Sequence, residues 1–541
     1  MLTIPGYEPV GPIHEGQRST IIKARRSRDG QLVVLKVLKP DSASADARGR
    51  YQRESEILQA LREAPSVVRL MGVETDRPDP VLVLEDFGAD SLAALLKKRS
   101  FGLEETLSIG IQLTESLEQI HSANIIHQDI NPGNILYNPN TGQIKIIDFG
   151  ISMMFPKENP MIKSPDLMEG TPAYLSPEQT GRMNRMVDFR TDYYSLGVSL
   201  YEMLTGRLPF DSSDSNKLIY FHLATRPIPP HELNPDIPQP VSNVVMKLLC
   251  KTPEERYQSS LGLREDLQEC LRQWTERGHV RDFPLGARDV SSTLMIPQKI
   301  YGRERETTLL METWERVAKG QREIMLISGL SGIGKTALVK ELSRPLTLKQ
   351  GFFISGKFNR QQRGIPYSAF PTAFSQLVKY LLTEPEDQKR RWRERILTAL
   401  GTNGQVILEL FPEFGLIIGA QPKVAELAPA ERQNRFERVF QQFVSVFAKP
   451  EHPLVLFLDD LQWADAASLK LIHLALTSRE SQSLLVIGAY RDNEVSSEHS
   501  LRQMLADLQK GELAVHHLPL PTLALPHVTQ MLAETFQKQL S

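Results

Sequence analysis

Short apolar runs bounded by turn residues dominate the first part of the chain. Residues 21–23, Leu32–Leu38 and residues 81–84 are rich in β-branched or aliphatic side chains and are flanked by Gly, Asp or Pro, which predicts strands. A single helix is predicted among them, around residues 50–62. From Leu103 onward the apolar side chains recur at helical spacing. The pattern therefore predicts a small strand-rich unit followed by a larger helical unit.

A second pattern begins after the helical one ends at about Trp274. Residues 278–299 contain Pro, Gly and a Ser-Ser-Thr run without periodicity, which is typical of a linker. Beyond them we predict a helix over Glu304–Ala318, an apolar strand over 324–328, a glycine-rich turn and another helix. Two later runs are apolar throughout, as expected of strands buried in a parallel sheet, at residues 454–458 and 484–489. We therefore expect a second unit of α/β type.

Composition excludes several function classes. Lysine and arginine (63) nearly balance aspartate and glutamate (65) in this chain of 541 residues, so no overall charge favours nucleic acid or an anionic membrane. A basic run that starts at Lys389 is expected to be the solvated face of a helix. Cys250 and Cys270 lack a CxxC partner, which argues against a disulfide scaffold and a zinc site. No signal-peptide pattern and no run of about 18 apolar residues is found, so we expect a cytoplasmic protein.

Two short motifs in the first half carry candidate chemistry. The segment H-Q-D-I-N-P-G-N occupies residues 127–134, and I-K-I-I-D-F-G ends at Gly150. Phosphoryl transfer requires metal ions at the phosphates, a carboxylate near the attacking hydroxyl and cations against the phosphate charge. Asp129 is the candidate proton acceptor, while Asn134 and Asp148 are candidates for holding Mg²⁺. Each motif alone is weak, but their order and spacing together indicate transfer of phosphate from ATP.

These motifs resemble those of the protein-kinase family, over about residues 7–272. The resemblance implies that Lys36, in V-V-L-K, contacts the α and β phosphates of ATP and that Glu54, in R-E-S-E-I-L, pairs with this lysine. It also places Glu85 and Phe87 in the hinge whose backbone binds adenine.

Residues 170–178, G-T-P-A-Y-L-S-P-E, resemble the end of a kinase activation segment. By this resemblance Thr171 is typical of kinases that act on Ser and Thr. Glu178 would form a structural ion pair with Arg256, and Asp192 would hold the catalytic loop in place.

Three positions depart from the kinase pattern. Only Gly16 remains of the glycine-rich loop, in H-E-G-Q-R-S, so the backbone can approach ATP phosphates there but covers them less closely. Gln128 replaces the arginine that would anchor a phosphorylated activation segment, so activation by that route is not expected. Asn131 replaces a lysine that neutralises the transferred phosphate, and we expect a slower chemical step.

The second unit contains a phosphate-binding loop. G-L-S-G-I-G-K-T, residues 329–336, follows a predicted strand and precedes a helix, which is the context the motif requires. Its three glycines, Gly329, Gly332 and Gly334, allow backbone N–H groups to surround a phosphate. Lys335 is expected to reach the β and γ phosphates, and the Thr336 hydroxyl is expected to bind Mg²⁺.

Acidic and basic residues follow the later strands of this unit. Asp459 ends one strand in a Walker B pattern, where it is expected to hold Mg²⁺, and Asp460 is placed to orient water. Arg491 ends the next strand and is a candidate γ-phosphate sensor, although an ordinary surface arginine is the alternative. Residues 299–541 resemble STAND-class signalling ATPases in these motifs, in Y-G-R-E at 301–304 and in L-D-D-L-Q-W-A-D at 458–465. Such modules act as ATP-operated switches.

Together these features predict a multidomain protein. We expect an α+β bilobal protein-kinase-like fold at residues 7–272, a linker at 273–298 and a three-layer α/β P-loop NTPase fold with a parallel sheet at 299–541, with a truncated helical lid. The expected activity is transfer of the γ-phosphate of ATP, with Mg²⁺, to Ser/Thr hydroxyls of protein substrates, coupled to an ATP-binding STAND switch module in intracellular signalling.

The pairing of the two units resembles the start of large bacterial signalling proteins that continue into a GAF sensor and a histidine kinase. It implies sensor or histidine-kinase partners and self-association through the ATPase half, and no nucleic-acid or membrane partner. Two other interpretations stay open. The first half could be a catalytically weak or dead scaffold, as Asn131 and the altered glycine loop suggest. It could also phosphorylate a small molecule, although residues 170–178 and Arg256 favour a protein substrate.

Overall fold

The computed structural model describes most of the chain. The described residues are 4–16, 19–39, 45–75, 80–154, 170–181, 183, 186–212, 214–290, 300–342, 345–346, 349, 351–362, 365–382, 384, 386–478, 480–496, 499–510 and 513–535. They form two compact units. The first comprises the described residues up to Thr180 and from Met186 to Val290, and the second comprises Gly181, Met183 and the described residues from Ile300 onward. None of the helices in the described part of the chain has the length and apolar composition that a membrane span requires.

The first unit begins with a five-stranded antiparallel sheet in the order β1-β2-β3-β5-β4. Its strands are β1 (Tyr7–Glu15), β2 (Ser19–Arg26), β3 (Leu32–Leu38), β4 (Leu70–Glu74) and β5 (Val81–Glu85). Five shorter strands follow: β6 (Asp90–Ser91), β7 (Ile125–Ile126), β8 (Ile135–Asn138), β9 (Gln143–Ile146) and β10 (Met153–Met154). The predicted strand Leu32–Leu38 is present with the same bounds, and residues 35–38 are all buried, as expected of a mainly apolar run inside a sheet.

Helices make up most of the remainder of the first unit. They are α1 (Ala45–Ala60), α2 (Leu92–Leu96), α3 (Leu103–Ser122), α4 (Arg190–Thr205), α5 (Ser215–Ala224), α6 (Pro230–Leu233), α7 (Gln239–Leu248) and α8 (Ser260–Arg277). The apolar side chains of α3 at helical spacing, among them Leu107, Leu113 and Leu117, are buried in the main core. The first unit therefore has a small sheet followed by a larger helical part, as the sequence pattern predicts.

The segment after α8, which falls within the predicted linker at 273–298, packs against the first unit. Helix α8 continues to Arg277 and ends at Gly278 in the left-handed conformation (φ 69°). Val280, Phe283 and Leu285 then pack against the main core of the first unit. Their burial holds residues 278–290 on this unit, although the Pro and Gly content is that of a loop. Residues 291–298 of the predicted linker lie outside the described residues.

The second unit is built on a five-stranded, all-parallel sheet in the order β12-β13-β14-β11-β15. The strands are β11 (Arg322–Ser328), β12 (Phe352–Lys357), β13 (Leu454–Asp459), β14 (Leu484–Tyr490) and β15 (Ala514–Pro519). Because all five strands are parallel, the turn after β11 and the carboxyl ends of β13 and β14 lie at the same edge of the sheet. Ligands bind at the carboxyl ends of strands in such sheets.

Helices cover both faces of this sheet. They are α9 (Glu304–Ala318), α10 (Lys335–Lys340), α11 (Ala369–Leu382), α12 (Glu386–Leu400), α13 (Gly404–Leu410), α14 (Gly415–Ile418), α15 (Pro429–Phe447), α16 (Ala466–Thr477), α17 (Ser500–Lys510) and α18 (Leu525–Thr535). The predicted helix Glu304–Ala318 has the same bounds in the structure. On one face, rings from several helices form a continuous aromatic core that includes Phe374, Phe414 and Phe443. The basic run that starts at Lys389 lies on α12, where Arg390, Arg391, Arg393 and Arg395 are exposed.

Candidate phosphoryl-transfer and nucleotide-binding sites

A buried lysine joins the sheet of the first unit to helix α1. The Nζ atom of Lys36, on β3, lies 2.7 and 2.8 Å from the two carboxylate oxygens of Glu54 on α1 and 2.9 Å from Oδ1 of Asp148. Burial opposes the charge of Lys36, but the two carboxylates overcome this effect and raise its pKa. Burial likewise raises the pKa of Glu54, while the charge of Lys36 holds the pKa of Asp148 below its usual value against the effect of burial. The structure thus brings these three predicted residues together.

The residues next to Asp148 fix its direction. Asp148 has a left-handed backbone (φ 64°), which turns its carboxylate toward Lys36. Phe149 is fully buried in the main core, and its ring centroid lies 4.7 Å from that of His127. Gly150 donates its N–H to Oδ1 of Asp148 at 3.3 Å. The side chain of Asp148 nevertheless remains 48% exposed, so its carboxylate is accessible to a metal ion.

Asp129 is surrounded by hydrogen-bond donors. Thr171 donates both its N–H (3.0 Å) and its hydroxyl (2.9 Å) to Oδ1 of Asp129, and Nδ2 of Asn134 donates to Oδ2 at 2.9 Å. Burial raises the pKa of Asp129. Because Nδ2 of Asn134 points at Asp129, the amide oxygen of Asn134 is left for another partner. This arrangement holds a carboxylate that can accept a proton beside two oxygen ligands suited to Mg²⁺, Asn134 and Asp148.

The uncharged side chain of Asn131 positions the backbone around Asp129 through hydrogen bonds. Its Nδ2 donates to the backbone oxygen of Asp129 at 3.0 Å and to the hydroxyl of Thr171 at 3.2 Å. Its Oδ1 accepts the N–H of Gly133 at 2.9 Å. The amide therefore bridges the loop that carries Asp129 and the segment that carries Thr171.

Asp192 and Gln179 hold the loop that carries Asp129 through hydrogen bonds to the backbone of His127 and Gln128. Gln128 is buried, with a left-handed backbone (φ 66°), and its carbonyl accepts Nε2 of Gln179 at 2.7 Å. The carboxylate of Asp192 accepts the backbone N–H groups of His127 (2.9 Å) and Gln128 (2.8 Å) and lies 2.8 Å from Nε2 of His121. Gln179 was not predicted from the sequence, since a glutamine after a turn has no distinctive pattern.

Glu178 and Arg256 form a fully buried ion pair. Two parallel contacts of 2.6 and 2.8 Å join their side chains, which are 1% and 0% exposed. Although burial favours the neutral acid, the Arg256 guanidinium holds the pKa of Glu178 below its usual value. The pair fixes the end of the segment that begins at Gly170.

The predicted contacts with adenine and the phosphate cover are placed as follows. Gly16 donates its N–H to the carbonyl of Ser19 at 2.9 Å and so closes the turn between β1 and β2, while Gln17 and Arg18 lie outside the described residues. Glu85 ends β5, and its carboxylate contacts Lys145 and accepts the N–H of Arg69 at 2.7 Å. The ring of Phe87 lies 5.4 Å from Nζ of Lys145. The side chain of Glu85 is thus used within the protein, and so is its backbone N–H, which donates to the carbonyl of Arg69 at 3.0 Å.

The glycine-rich turn of the second unit follows β11 and leads into α10. Gly329 (φ 150°), Gly332 (φ 77°) and Gly334 (φ 99°) have backbones that other residues rarely adopt. Lys335 begins α10, and its Nζ donates to the carbonyls of Gly329 (2.7 Å) and Leu330 (2.8 Å). Burial lowers the pKa of Lys335. The lysine therefore lies folded over the loop whose N–H groups would surround a phosphate.

Acidic groups from β13 face this turn. The Thr336 hydroxyl donates to Oδ2 of Asp459 at 3.3 Å, which joins the two predicted Mg²⁺ ligands. Asp460 has a left-handed backbone (φ 54°) and lies 3.2 Å from Nζ of Lys357 and 3.5 Å from Nε of Arg491. Arg491 also contacts Glu494 at 3.0 Å, so its guanidinium is held by acidic side chains. Lys357 was not predicted as a site residue; its position at the end of an apolar strand beside β13 is the signal that could have found it.

Comparisons with known proteins agree with this two-part arrangement. Residues 7–269 match the family model described as protein kinase domain, and residues 299–487 match that described as AAA ATPase domain. The chain is 36% identical over 459 residues to hybrid signal transduction histidine kinase G of Dictyostelium discoideum, covering 69% of this chain and 13% of that protein. It is 26% identical over 499 residues to histidine protein kinase 1 of Candida albicans, covering 82% of this chain and 20% of that protein. It is 31% identical over 287 residues to serine/threonine-protein kinase PknB of Mycolicibacterium smegmatis, covering 52% of this chain and 44% of that protein. The chain thus spans less than half the length of these relatives.

Proposed function

We propose, from a first unit that matches the protein kinase domain and a second that matches the AAA ATPase domain, that the chain transfers the γ-phosphate of ATP to Ser or Thr hydroxyls of protein substrates. The arrangement around Asp129 carries this proposal. Thr171 contacts this carboxylate through both its N–H and its hydroxyl, while Lys36 is paired with Glu54 and Asp148. The proton acceptor Asp129 thus lies beside the segment of residues 170–180, which we call the substrate-side segment, and the phosphate-binding Lys36 is held near Asp148.

Each side chain has a defined part in the reaction. Asp129, whose pKa is raised by burial, orients the attacking hydroxyl and accepts its proton as the bond to phosphorus forms. Lys36 contacts the phosphates and is itself held by Glu54. We propose that Asn134 and Asp148 hold Mg²⁺, since both offer hard oxygen atoms and the Asp148 side chain is half exposed. The metal, when bound, neutralises charge on the phosphates of ATP.

Asn131 stands where the kinase pattern has a lysine, and its amide nitrogen makes two hydrogen bonds but carries no charge. Its Nδ2 lies within hydrogen-bond distance of Thr171 and of the Asp129 backbone. It therefore holds the substrate-side segment in place but adds no positive charge at the transferred phosphate. We infer a kinase with correct positioning and a slower chemical step.

We propose that the second unit binds ATP as a switch and does not hydrolyse it quickly. Asp460, which is placed to orient water, contacts Lys357 and Arg491, and these cations with the side chain of Gln462 lower its pKa despite partial burial. A carboxylate engaged in this way is a weak base. Lys335, Thr336 and Asp459 are proposed to bind the phosphates and Mg²⁺ of this second nucleotide. We further propose sensor or histidine-kinase partners, self-association through this unit, and a cytoplasmic location, which fits two free cysteines.

A phosphate-transfer assay tests the kinase proposal. The full chain is incubated with γ-labelled ATP and a generic Ser/Thr protein substrate, beside Asp129→Asn and the exposed control Asp236→Asn. Loss of the proton acceptor should lower incorporation by roughly two orders of magnitude or more, while the control should match the wild type. Incorporation that persists in Asp129→Asn would contradict the proposal.

A catalytically inactive scaffold is the second candidate, favoured by the missing cation at Asn131. In that case the first unit binds ATP without transferring phosphate. Labelled nucleotide would then bind to the first unit of the wild type, and Lys36→Met would lose this binding event but keep that of the second unit, yet neither the protein nor the substrate would become labelled. The same assay with Lys335→Ala separates nucleotide bound in the second unit from nucleotide bound in the first.

A further inference from the structure

One carboxylate anchors the segment that follows α8. Asp289 accepts the N–H of Gln258 through both oxygens (3.0 and 2.9 Å), the N–H of Ser259 (2.8 Å) and the hydroxyl of Ser259 (2.8 Å). Ser259 is the residue that caps the start of α8. Asp289 lies beyond residue 269, where the match to the protein kinase domain ends. We call residues 278–290 the strap.

Two glycines make room for the strap. A Cβ atom at Gly262, on the first turn of α8, would lie 2.5 Å from Cβ and 2.6 Å from Cα of Asp289. A Cβ atom at Gly286 would lie 2.4 Å from Nζ of Lys247, and Gly286 donates its N–H to Asp266 at 2.8 Å. A side chain at Gly262 would clash with the backbone of Asp289, so the strap lies directly on the surface of α8. At Gly286 the near atom is the flexible end of Lys247, and it is the left-handed backbone (φ 74°) that favours glycine there.

Hydrogen bonds link the residues that Asp289 contacts to the substrate-side segment. The side chain of Gln258 accepts Nη1 of Arg190 at 2.7 Å and donates to the carbonyl of Arg256 at 2.8 Å. Nη1 of Arg256 donates to the carbonyl of Arg190 at 3.0 Å and to Glu178 at 2.6 Å. An unbroken series of hydrogen bonds therefore runs from Asp289 to Glu178, which ends the segment that carries Thr171.

We propose that Asp289 is a positioning residue of the kinase and that the strap holds residues 170–180 in the arrangement that binds the protein substrate. The proposal rests on the kinase activity proposed above. Asp289 touches neither ATP nor substrate; it acts through Gln258 on Arg190 and Arg256. Releasing the strap should loosen the substrate-side segment while Lys36 and its nucleotide contacts, on the sheet of this unit, are unchanged.

Kinetics of the full chain separate this role from a stability effect. Asp289→Ala should raise KM for a peptide substrate roughly tenfold with KM for ATP and the Lys36 site unchanged. Asp289→Asn keeps an oxygen acceptor for Ser259 and should recover part of the loss. Asp282→Ala, an exposed carboxylate on the same strap, is the matched control and should behave as the wild type.

Gly262→Ala provides a second test that moves the strap without altering Asp289 itself. A Cβ atom there would lie 2.5 Å from Asp289, so the strap must shift although alanine favours a helix more than glycine does. A purely structural role would leave KM for the peptide unchanged. If the strap acts as proposed, the added methyl group displaces Asp289 and raises KM for the peptide as Asp289→Ala does. Unchanged KM for the peptide in both folded variants would overturn the proposal.

Hydrogen exchange distinguishes failure of the strap from failure of the kinase proposal. Amides in residues 170–180 should exchange faster in Asp289→Ala and Gly262→Ala, while those of β13 in the second unit should not change. If the wild type transfers no phosphate, the kinase proposal fails, but faster exchange in these variants still supports the strap. If the wild type is active and exchange in residues 170–180 is unchanged in both variants, the strap proposal is wrong.

Discussion

Replacing Glu178 with alanine should leave the charge of Arg256 buried without its partner. All five N–H groups of this guanidinium are used: two contact Glu178, and the others donate to the carbonyls of Cys250 (2.8 Å), Arg190 (3.0 Å) and Lys251 (3.2 Å). The three carbonyls remain after the substitution, but none of them carries a compensating negative charge.

The expected cost follows from this geometry. Breaking a buried ion pair by removing one partner costs roughly 3–5 kcal/mol, against a typical domain stability of about 5–15 kcal/mol. Because about 1.4 kcal/mol corresponds to a factor of ten, the most protected amides of the first unit should exchange roughly two to four orders of magnitude faster. Glu178→Gln keeps one oxygen acceptor, so its cost should be smaller.

Hydrogen exchange of the full chain measures this cost locally. Peptides from α4 report on the first unit, and peptides from β13 serve as an internal reference that should not change. The double variant Glu178→Ala, Arg256→Met removes both charges and should be more stable than Glu178→Ala alone. A change below tenfold in α4, or a double variant no more stable than the single one, would refute the reasoning.

Three further outcomes are expected. Burial lowers the pKa of His222 to about 3, whereas the unfolded chain takes up this proton near the ordinary value of about 6.5. The free energy of unfolding should therefore fall by up to about 1.4 kcal/mol for each pH unit as the pH drops from about 6.5 toward about 3. Urea unfolding at several pH values should show a flatter slope for His222→Gln. Gly356→Ala should lower the melting temperature of the second unit by roughly 5 °C or more, because a Cβ atom there would lie 2.3 Å from a backbone oxygen of α11, whereas Gly415→Ala, with open space, should be tolerated. In titrations with labelled ATP, Lys335→Ala should remove one binding event and Lys36→Met the other, and loss of both in either variant would contradict two separate sites.

The parts that could be predicted from the sequence are those with a local signal. Leu32–Leu38 has the predicted bounds because it is a short apolar run between turn residues, and Glu304–Ala318 has them because its apolar residues from Leu309 onward recur at helical spacing after an acidic first turn. Lys36 and Glu54 are 18 residues apart, one on a strand and the other on a helix, yet the order of the motifs predicts them in one site. Nζ of Lys36 lies 2.7 Å from Oε1 of Glu54. Motifs preserve such spacing because the chemistry of a phosphate requires fixed positions.

The parts that could not be predicted depend on contacts between distant residues. The Pro and Gly content of residues 278–299 indicated a linker, while the seat of Asp289 depends on Ser259, thirty residues earlier, and on the missing side chain of Gly262. Asn131 was interpreted by the charge that it lacks, since no sequence pattern shows that its amide reaches Thr171. Lys357 was overlooked because its partner Asp460 follows a different strand.

The tie between Gln128 and Gln179 has a consequence for how the first unit responds to its surroundings. The amide of Gln179 donates to the carbonyl of Gln128 at 2.7 Å and its oxygen accepts the N–H of Ser176 at 3.1 Å. Both contacts join neutral groups, so salt does not screen them and no proton titrates there. This junction therefore forms when the chain folds and keeps its strength across ionic strength and pH, without waiting for an upstream enzyme to add a charge.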